Sequence, residues 1–273
     1  MTLTALVTGG ASGIGEAICR KLASRGIGLF IADMQHERGT AVARSIAQEY
    51  RVPVEYHRVD VRQEGEVKRL VDMAAKRTGR LDYAANCAGI CEKVWEEEES
   101  ITTELFDRTY AVNARGLWLC QKHEALQMRT QEPRPVQSTP PATFPIKPQR
   151  GAIANIASIS GLHAVGLAAY TPSKYAAVGI TKNGAKFYGP DGIRINAICP
   201  GWTLTAMIEH SMGEEGKAGS KASEESAVNQ QIGLRRMAFP QEQANVMSFL
   251  LSDESSYVNG SLIVCDGGFH DIR

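Results

Sequence analysis

Leu3 to Gly15 reads LTALVTGGASGIG, and this stretch decides the fold. Leu3 to Thr8 is a short apolar, β-prone run. TGGASGIG follows from Thr8 to Gly15, and a helical pattern then continues to about Arg25. Strand, glycine-rich turn and helix in that order form the setting of a dinucleotide-binding turn. Gly9 permits the tight turn. Gly13 and Gly15 let the backbone approach a pyrophosphate and let the helix pack on the strand. The helix start then offers unpaired N–H groups and the positive end of its dipole. Gly9, Ser12, Gly13, Ile14 and Gly15 are therefore the expected cradle. A plain glycine turn is the alternative, and the strand and helix on either side favour the cradle.

The same alternation continues along the chain. Gly28 to Ala32 reads as a second strand, ending at Asp33. A carboxylate there accepts hydrogen bonds from an adenosine ribose diol and repels a 2′-phosphate. That favours NAD(H), with NADP(H) not excluded; a helix cap is the other use of Asp33. Ser12 is neutral, and Arg38 lies a turn into the next helix. Helices are expected at Gln35–Tyr50, Glu64–Arg77, Thr103–Gln127, Tyr170–Tyr188 and Pro240–Leu251. Strands are expected at Val54–Val59, Leu81–Asn86, Ala152–Ala157, Ile193–Cys199 and Ser261–Val264. This period predicts an α/β fold, a single doubly wound Rossmann-type domain over residues 1–273. Its sheet is mostly parallel, of about seven strands, flanked by helices.

Two segments break the pattern. Residues 128–150 hold Pro133, Pro135, Pro140, Pro141, Pro145 and Pro148, which excludes helix interior and central strand. An exposed, partly disordered surface insertion is expected there. Residues 202–233 follow the sharp break at Pro200-Gly201 and are expected to act as a substrate lid.

Ser158 follows the strand ending at Ala157, and Tyr170 opens a helix in which Lys174 lies one turn on. An ammonium beside a phenol favours phenolate, and a tyrosine so tuned exchanges a proton with a carbonyl oxygen. Tyr-x-x-x-Lys by itself also fits an ordinary amphipathic helix. Asn113 sits in an apolar helical setting, where a buried Asn usually satisfies backbone.

Composition narrows the setting. Hydrophobic residues are 43%, and Lys+Arg and Asp+Glu both number 30. Without a basic surplus a general nucleic-acid partner is not expected. No apolar run approaches the roughly 20 residues that cross a bilayer, and no signal pattern opens the chain, so no membrane partner is expected. The six cysteines are scattered, without a CxxC pair. That fits a reduced, cytoplasmic setting and no metal site.

In this order the motifs resemble the short-chain dehydrogenase/reductase family. TGGASGIG is similar to its TGxxxGxG turn. Asp60, followed by Val61, matches its adenine-contacting acid. Asn86-Cys87-Ala88-Gly89 resembles its NNAG, with Cys87 replacing the second Asn. Asn113, Ser158, Tyr170 and Lys174 match its catalytic tetrad. Pro200-Gly201 begins its PGxVxT stretch; Thr203 stands where an aliphatic residue is usual, and Thr205 matches.

The resemblance implies hydride transfer between substrate carbon and nicotinamide, with Tyr170 exchanging the proton. Ser158 would polarise the carbonyl. Lys174 would hold the ribose and depress the Tyr170 pKa, and Asn113 would hold a water linking Lys174 to solvent. Asn86, Ala88, Gly89, Pro200, Gly201, Thr203 and Thr205 would contact cofactor. A homotetramer or homodimer is also implied, packed through the helices of Asn113 and Tyr170.

The expected function is thus an NAD(H)-dependent oxidoreductase interconverting a secondary alcohol and a ketone. The alternatives are reduction of C=C or C=N with NADPH on the same fold, or a non-catalytic nucleotide-binding protein. Residues expected to face the small-molecule substrate are Cys91, Trp95, His163, Trp202, Met207, Ile208 and Met212. Their apolar character favours a hydrophobic or cyclic alcohol or ketone.

Overall fold

In each inner strand, apolar side chains point both ways, so both faces of the sheet must be covered by helices. Ala5 and Val7 of the first strand enter one core with Ile18, Leu22, Ile46, Met247 and Leu250. Leu6 between them enters the opposite core with Leu70, Val71, Met128, Ile153 and Ile193. The computed structural model describes residues 3–92, 97–138, 143–164, 167–211 and 227–270. Its strands are β1 (Thr4–Thr8), β2 (Gly28–Asp33), β3 (Val54–Arg58), β4 (Tyr83–Asn86), β5 (Gly151–Ile156), β6 (Ile193–Pro200) and β7 (Leu262–Cys265). They form one seven-stranded sheet in the order β3-β2-β1-β4-β5-β6-β7, and every pairing is parallel. The order reverses between β1 and β4, and their carboxyl ends, Thr8 and Asn86, lie in register there.

The helices between these strands are α1 (Gly13–Ala23), α2 (His36–Tyr50), α3 (Glu64–Thr78), α4 (Thr103–Tyr110), α5 (Leu117–Arg129) and α6 (Tyr170–Tyr188). The short helix α7 (Ala206–Ser211) and the C-terminal helix Pro240–Leu251 follow β6. The expected single helix over Thr103–Gln127 is interrupted: residues Ala111–Gly116 form a π-helical turn between α4 and α5. Such a turn widens the helix and re-aims its side chains, often at functional sites. Here it carries Asn113, which is fully buried.

The proline-rich segment is fastened at both ends. Arg134 and Gln149 pair as an antiparallel bridge. The Arg134 guanidinium donates to Asp253 at 2.8 Å and to the Tyr83 hydroxyl at 2.9 Å. Between these ends Phe144 is 81% exposed, and residues 139–142 lie outside the described residues. Among the described residues no helix is long and apolar enough to cross a membrane.

Beneath the sheet lies a polar network. The Asn86 amide donates to Glu124 Oε2 at 2.9 Å and to Asn155 Oδ1 at 3.1 Å. Asn155 donates in turn to Gln121 and Thr181. Burial pushes the Glu124 carboxyl from 4.5 up to about 8, against the Asn86 hydrogen bond. The folded state therefore holds a proton that the unfolded chain releases near pH 4.5. This stabilisation is complete below that pH and is lost as pH rises to about 8. Glu124→Gln has no such dependence. In thermal melts across pH 5 to 9, the melting temperature of Glu124→Gln relative to the unchanged chain is expected to rise with pH. A constant difference would mean that Glu124 ionises freely.

Candidate active site

The glycine turn and the end of β4 meet without room for a side chain. Gly9 has φ +66°, and a Cβ there would stand 2.7 Å from the Ala88 nitrogen. A Cβ on Gly15 would stand 2.1 Å from the Gly9 carbonyl oxygen. Thr8 fastens the second side: its hydroxyl accepts from the Cys87 and Ala88 N–H groups at 3.2 and 3.4 Å. Ser12 precedes α1 but makes no side-chain cap. The first-turn N–H groups of α1 thus have no capping side chain, and they face the cleft where an anion is favoured.

That cleft has a volume of about 360 Å³, in the range of small-molecule sites. It runs across the carboxyl ends of the strands. Gly9, Ser12, Gly13, Ile14, Gly15, Asp33, Asp60, Val61, Ala88, Gly89, Tyr170, Lys174, Pro200, Gly201, Thr203 and Thr205 all line it. Asn86 does not. With strand period two, its side chain turns under the sheet to Glu124 and Asn155.

At one end, Asp33 Oδ2 accepts from the Ala11 N–H at 3.1 Å, tying the tip of β2 to the glycine turn. Its other oxygen accepts from the Gln35 N–H. Asp60 is gripped by Arg62, whose guanidinium contacts both carboxylate oxygens at 2.7–3.0 Å. That hydrogen bonding holds the Asp60 carboxyl below its usual range, and Arg62 shares any contact Asp60 makes.

At the other end stand the residues of the second motif. Lys174 is buried, with its ammonium donating to the Ile156 carbonyl at 2.9 Å and lying 5.4 Å from the Tyr170 ring centroid. Burial lowers the Lys174 pKa to about 8. Burial also pushes the Tyr170 phenol well above its usual value; Cys91 adds to this, and a hydrogen bond with Ser158 opposes it. The phenol is thus raised, where proximity to Lys174 had led to an expected lowering. Ser158 is buried, and its hydroxyl accepts from the Ser160 N–H at 3.1 Å. Asn113 Oδ1 accepts from the Ile90 N–H at 2.9 Å, and its amide donates to the Ile90 carbonyl and to Ser173. Its side chain is thus spent on the loop after β4, beside Gly89 and near Lys174.

Of the residues expected to face substrate, Met207 and Ile208 of α7 line the cleft. Cys91 acts electrostatically on Tyr170. Trp202 instead packs with Leu204, Ile208, Val228, Ile232, Met237 and Phe269. His163 lies against His270, their ring centroids 3.2 Å apart. Trp95 and Met212 lie outside the described residues.

Three contributors were not legible beforehand. Gln243 donates to the Thr203 hydroxyl at 3.2 Å, which satisfies a polar group where an aliphatic side chain is usual. Arg62 is the second. Glu92, buried next to Cys91, accepts from the Ala169 and Tyr170 N–H groups. Only the apolar surroundings of Glu92, in AGICEK, hinted at burial.

Residues 9–270 match a family profile described as enoyl-(acyl carrier protein) reductase. The chain is 34% identical over 264 residues to short-chain dehydrogenase srdC of Neurospora crassa, covering 95% of this chain and 94% of that protein. The chain belongs to the short-chain dehydrogenase/reductase family. It is also 34% identical to a 2,5-dichloro-2,5-cyclohexadiene-1,4-diol dehydrogenase of Sphingobium indicum, covering 97% of this chain and 96% of that one. The crystal structure of levodione reductase superposes with a TM-score of 0.84 at 32% identity, covering 97% of this chain and 96% of that chain. Membership makes the chain an oxidoreductase of small molecules. The family generally binds NAD(P), and the glycine turn, which a Cβ would fill, fits such a dinucleotide.

Gly9→Ala tests that fit. The left-handed φ and the Ala88 contact are expected to cost about 1–3 kcal/mol of stability. The variant is also expected to lose NADH affinity by more than tenfold in calorimetric titration. Unchanged affinity in a folded variant would place the dinucleotide elsewhere.

Proposed function

We propose that this short-chain dehydrogenase/reductase interconverts a secondary alcohol and a ketone with NAD(H), on a hydrophobic or cyclic small molecule. The observation that carries the reading is the meeting of Tyr170 and Lys174 at the cleft end opposite Asp33, with the Ser158 hydroxyl hydrogen-bonded to the Tyr170 phenol. The dinucleotide supplies hydride transfer at its nicotinamide ring. Tyr170 gives a proton to the carbonyl oxygen during reduction and takes it back during oxidation. Ser158 orients that oxygen through its hydroxyl. Lys174, buried beside the phenol, contributes positive charge where phenolate must form. Asn113 holds the Ile90 loop and so keeps Gly89 between itself and Lys174.

Asp33 supports NAD(H) over NADP(H). Its carboxylate is fixed by Ala11 and Gln35 at the β2 tip, where a 2′-phosphate would meet like charge. Ile90, Ile156, Met207 and Ile208 give the cleft apolar walls, which supports a hydrophobic substrate. A relative named for a ring-shaped substrate, the 2,5-dichloro-2,5-cyclohexadiene-1,4-diol dehydrogenase, points the same way. Residues 202–233 are proposed as the lid; α7 supplies Met207 and Ile208 to the cleft, and residues 212–226 of this span lie outside the described residues. Association of copies through α4 to α6 is supported by the exposed Phe106, Trp118 and Tyr175 on those helices.

The decisive assay follows NADH formation from NAD⁺ with cyclohexanol, trans-cyclohexane-1,4-diol and a 3-hydroxysteroid, and NADH loss with the matching ketones. Tyr170→Phe is expected to lose at least about 100-fold in kcat while still binding NADH. Retained rate would remove Tyr170 from proton transfer. Turnover confined to C=C or C=N compounds would overturn the alcohol–ketone reading.

Because the phenol stays protonated at neutral pH, oxidation is expected to accelerate from pH 7 to 10, and reduction is not. Asp33→Ala is expected to weaken NADH binding by roughly 10–100-fold and to erase discrimination against NADPH. Unchanged preference would mean that Asp33 serves only the turn.

A further inference from the structure

Helix α6 begins at Tyr170, and its start has no cap of its own. Ala169 at the N-cap carries no acceptor, whereas α4 is capped by its own Thr102, which accepts from the Leu105 N–H. The acceptor for α6 comes instead from a loop far away in sequence. Glu92 Oε1 accepts from the Ala169 N–H at 2.9 Å and from the Tyr170 N–H at 3.0 Å. Oε2 accepts from the Tyr170 N–H at 3.1 Å. Glu92 is only 4% exposed, so both N–H groups and the carboxylate depend on one another away from water.

We propose that Glu92 is a positioning residue for Tyr170: its buried carboxylate fastens the loop after β4 to the first turn of α6 and sets where the phenol stands in the cleft. The proposal rests on the reading of Tyr170 as the proton-transfer group. The loop is held twice. Asn113 grips Ile90 through both its N–H and its carbonyl, and Glu92 grips the backbone of Tyr170 itself. Gly89, which lines the cleft, lies at the other end of this short loop. Glu92 thus bonds this loop directly to the first residues of α6, ahead of the Asn113–Ser173 and Lys174–Ile156 bonds one turn on. Small displacements of a reacting group cost rate steeply.

A cap with no bearing on the phenol would matter for stability alone. The surroundings of Tyr170 separate the two. From the loop after β4 it is faced by Cys91 and Glu92, from the loop after β5 by Ser158, from β6 by Cys199, and from its own helix by Lys174. Glu92 brings negative charge to this set and opposes ionisation of the phenol, behind burial and Cys91 in effect. Neutralising Glu92 while keeping an oxygen acceptor should therefore leave the backbone bond and move the titration.

The test compares Glu92→Gln, Glu92→Ala, Glu92→Asp and Tyr170→Phe with the unchanged chain, using NAD⁺ and trans-cyclohexane-1,4-diol from pH 6 to 10.5. Glu92→Gln is expected to keep the backbone bond and to oxidise the alcohol faster than the unchanged chain at each alkaline pH, since a negative charge facing the phenol is removed. Glu92→Ala is expected to lose roughly 10–100-fold in kcat with the KM for NAD⁺ nearly unchanged, and Glu92→Asp to recover part of it. Amide hydrogen exchange over residues 167–171, which needs no substrate, is expected to quicken in Glu92→Ala alone among the Glu92 variants.

A Glu92→Gln profile superposed on that of the unchanged chain overturns the proposal. So does unaltered kcat or unaltered exchange in Glu92→Ala. If Glu92→Ala does not fold, the Glu92→Gln profile decides. An inactive Tyr170→Phe beside indifferent Glu92 variants overturns this proposal alone. A fully active Tyr170→Phe overturns the proton-transfer reading and this proposal with it.

Discussion

The structure depends on a contact between two pieces of backbone. At the reversal point of the sheet, the turn after β1 lies directly on the end of β4, where no Cβ fits on Gly9, and within the turn none fits on Gly15 against the Gly9 carbonyl. Thr8 reinforces the contact from below with its hydroxyl. Everything above the sheet inherits its place from this approach. It leaves the start of α1 uncovered, it brings Ala88 and Gly89 to the cleft wall, and it aims the loop after β4 at the helix that carries Tyr170.

The price of that arrangement is burial of polar and ionisable groups around the cleft. Lys174 loses hydration and its pKa falls to about 8, while the Tyr170 phenol rises. The two shifts have one cause and opposite signs, because desolvation disfavours whichever form is charged. Partners arranged by the fold hold the groups in place: Ile156 for Lys174, Ser158 for Tyr170, Arg62 for Asp60 and Gln243 for Thr203. Under the sheet, Asn86, Glu124, Asn155, Gln121 and Thr181 form a chain of the same kind. A buried polar network of this sort rigidifies only where each member finds its partner.

The cradle and the Tyr170–Lys174 pair were legible because both are local. A strand, a glycine turn and a helix are contiguous, and residues four apart on a helix share a face. Asn86 was legible as a strand end but not as a network member, since its neighbour Glu124 is distant in sequence. The π-helical turn at Ala111–Gly116 left no mark in the hydrophobic pattern, because one widened turn barely changes the helical period. Trp202 read as a pocket residue, and it packs against Val228, Ile232 and Met237, a cluster that Ile208 of the cleft wall also joins. Glu92 gave no sign of its role, because its partners Ala169 and Tyr170 contribute backbone and not side chains.

By itself, then, the amino-acid order determined the alternation of strand and helix, the cradle at Gly9 to Gly15, the acid at the tip of β2 and the spacing of Tyr170 to Lys174. These follow from periodicity and from the freedom of glycine, which act over a few residues. Only the tertiary structure decided which way Asn86 faces, which residues after β6 reach the cleft, and that burial governs the ionisation of Tyr170 and Lys174. It also decided that Glu92 caps the helix of Tyr170. Those outcomes depend on desolvation and on partners from distant segments, and neither exists until the chain has closed on itself.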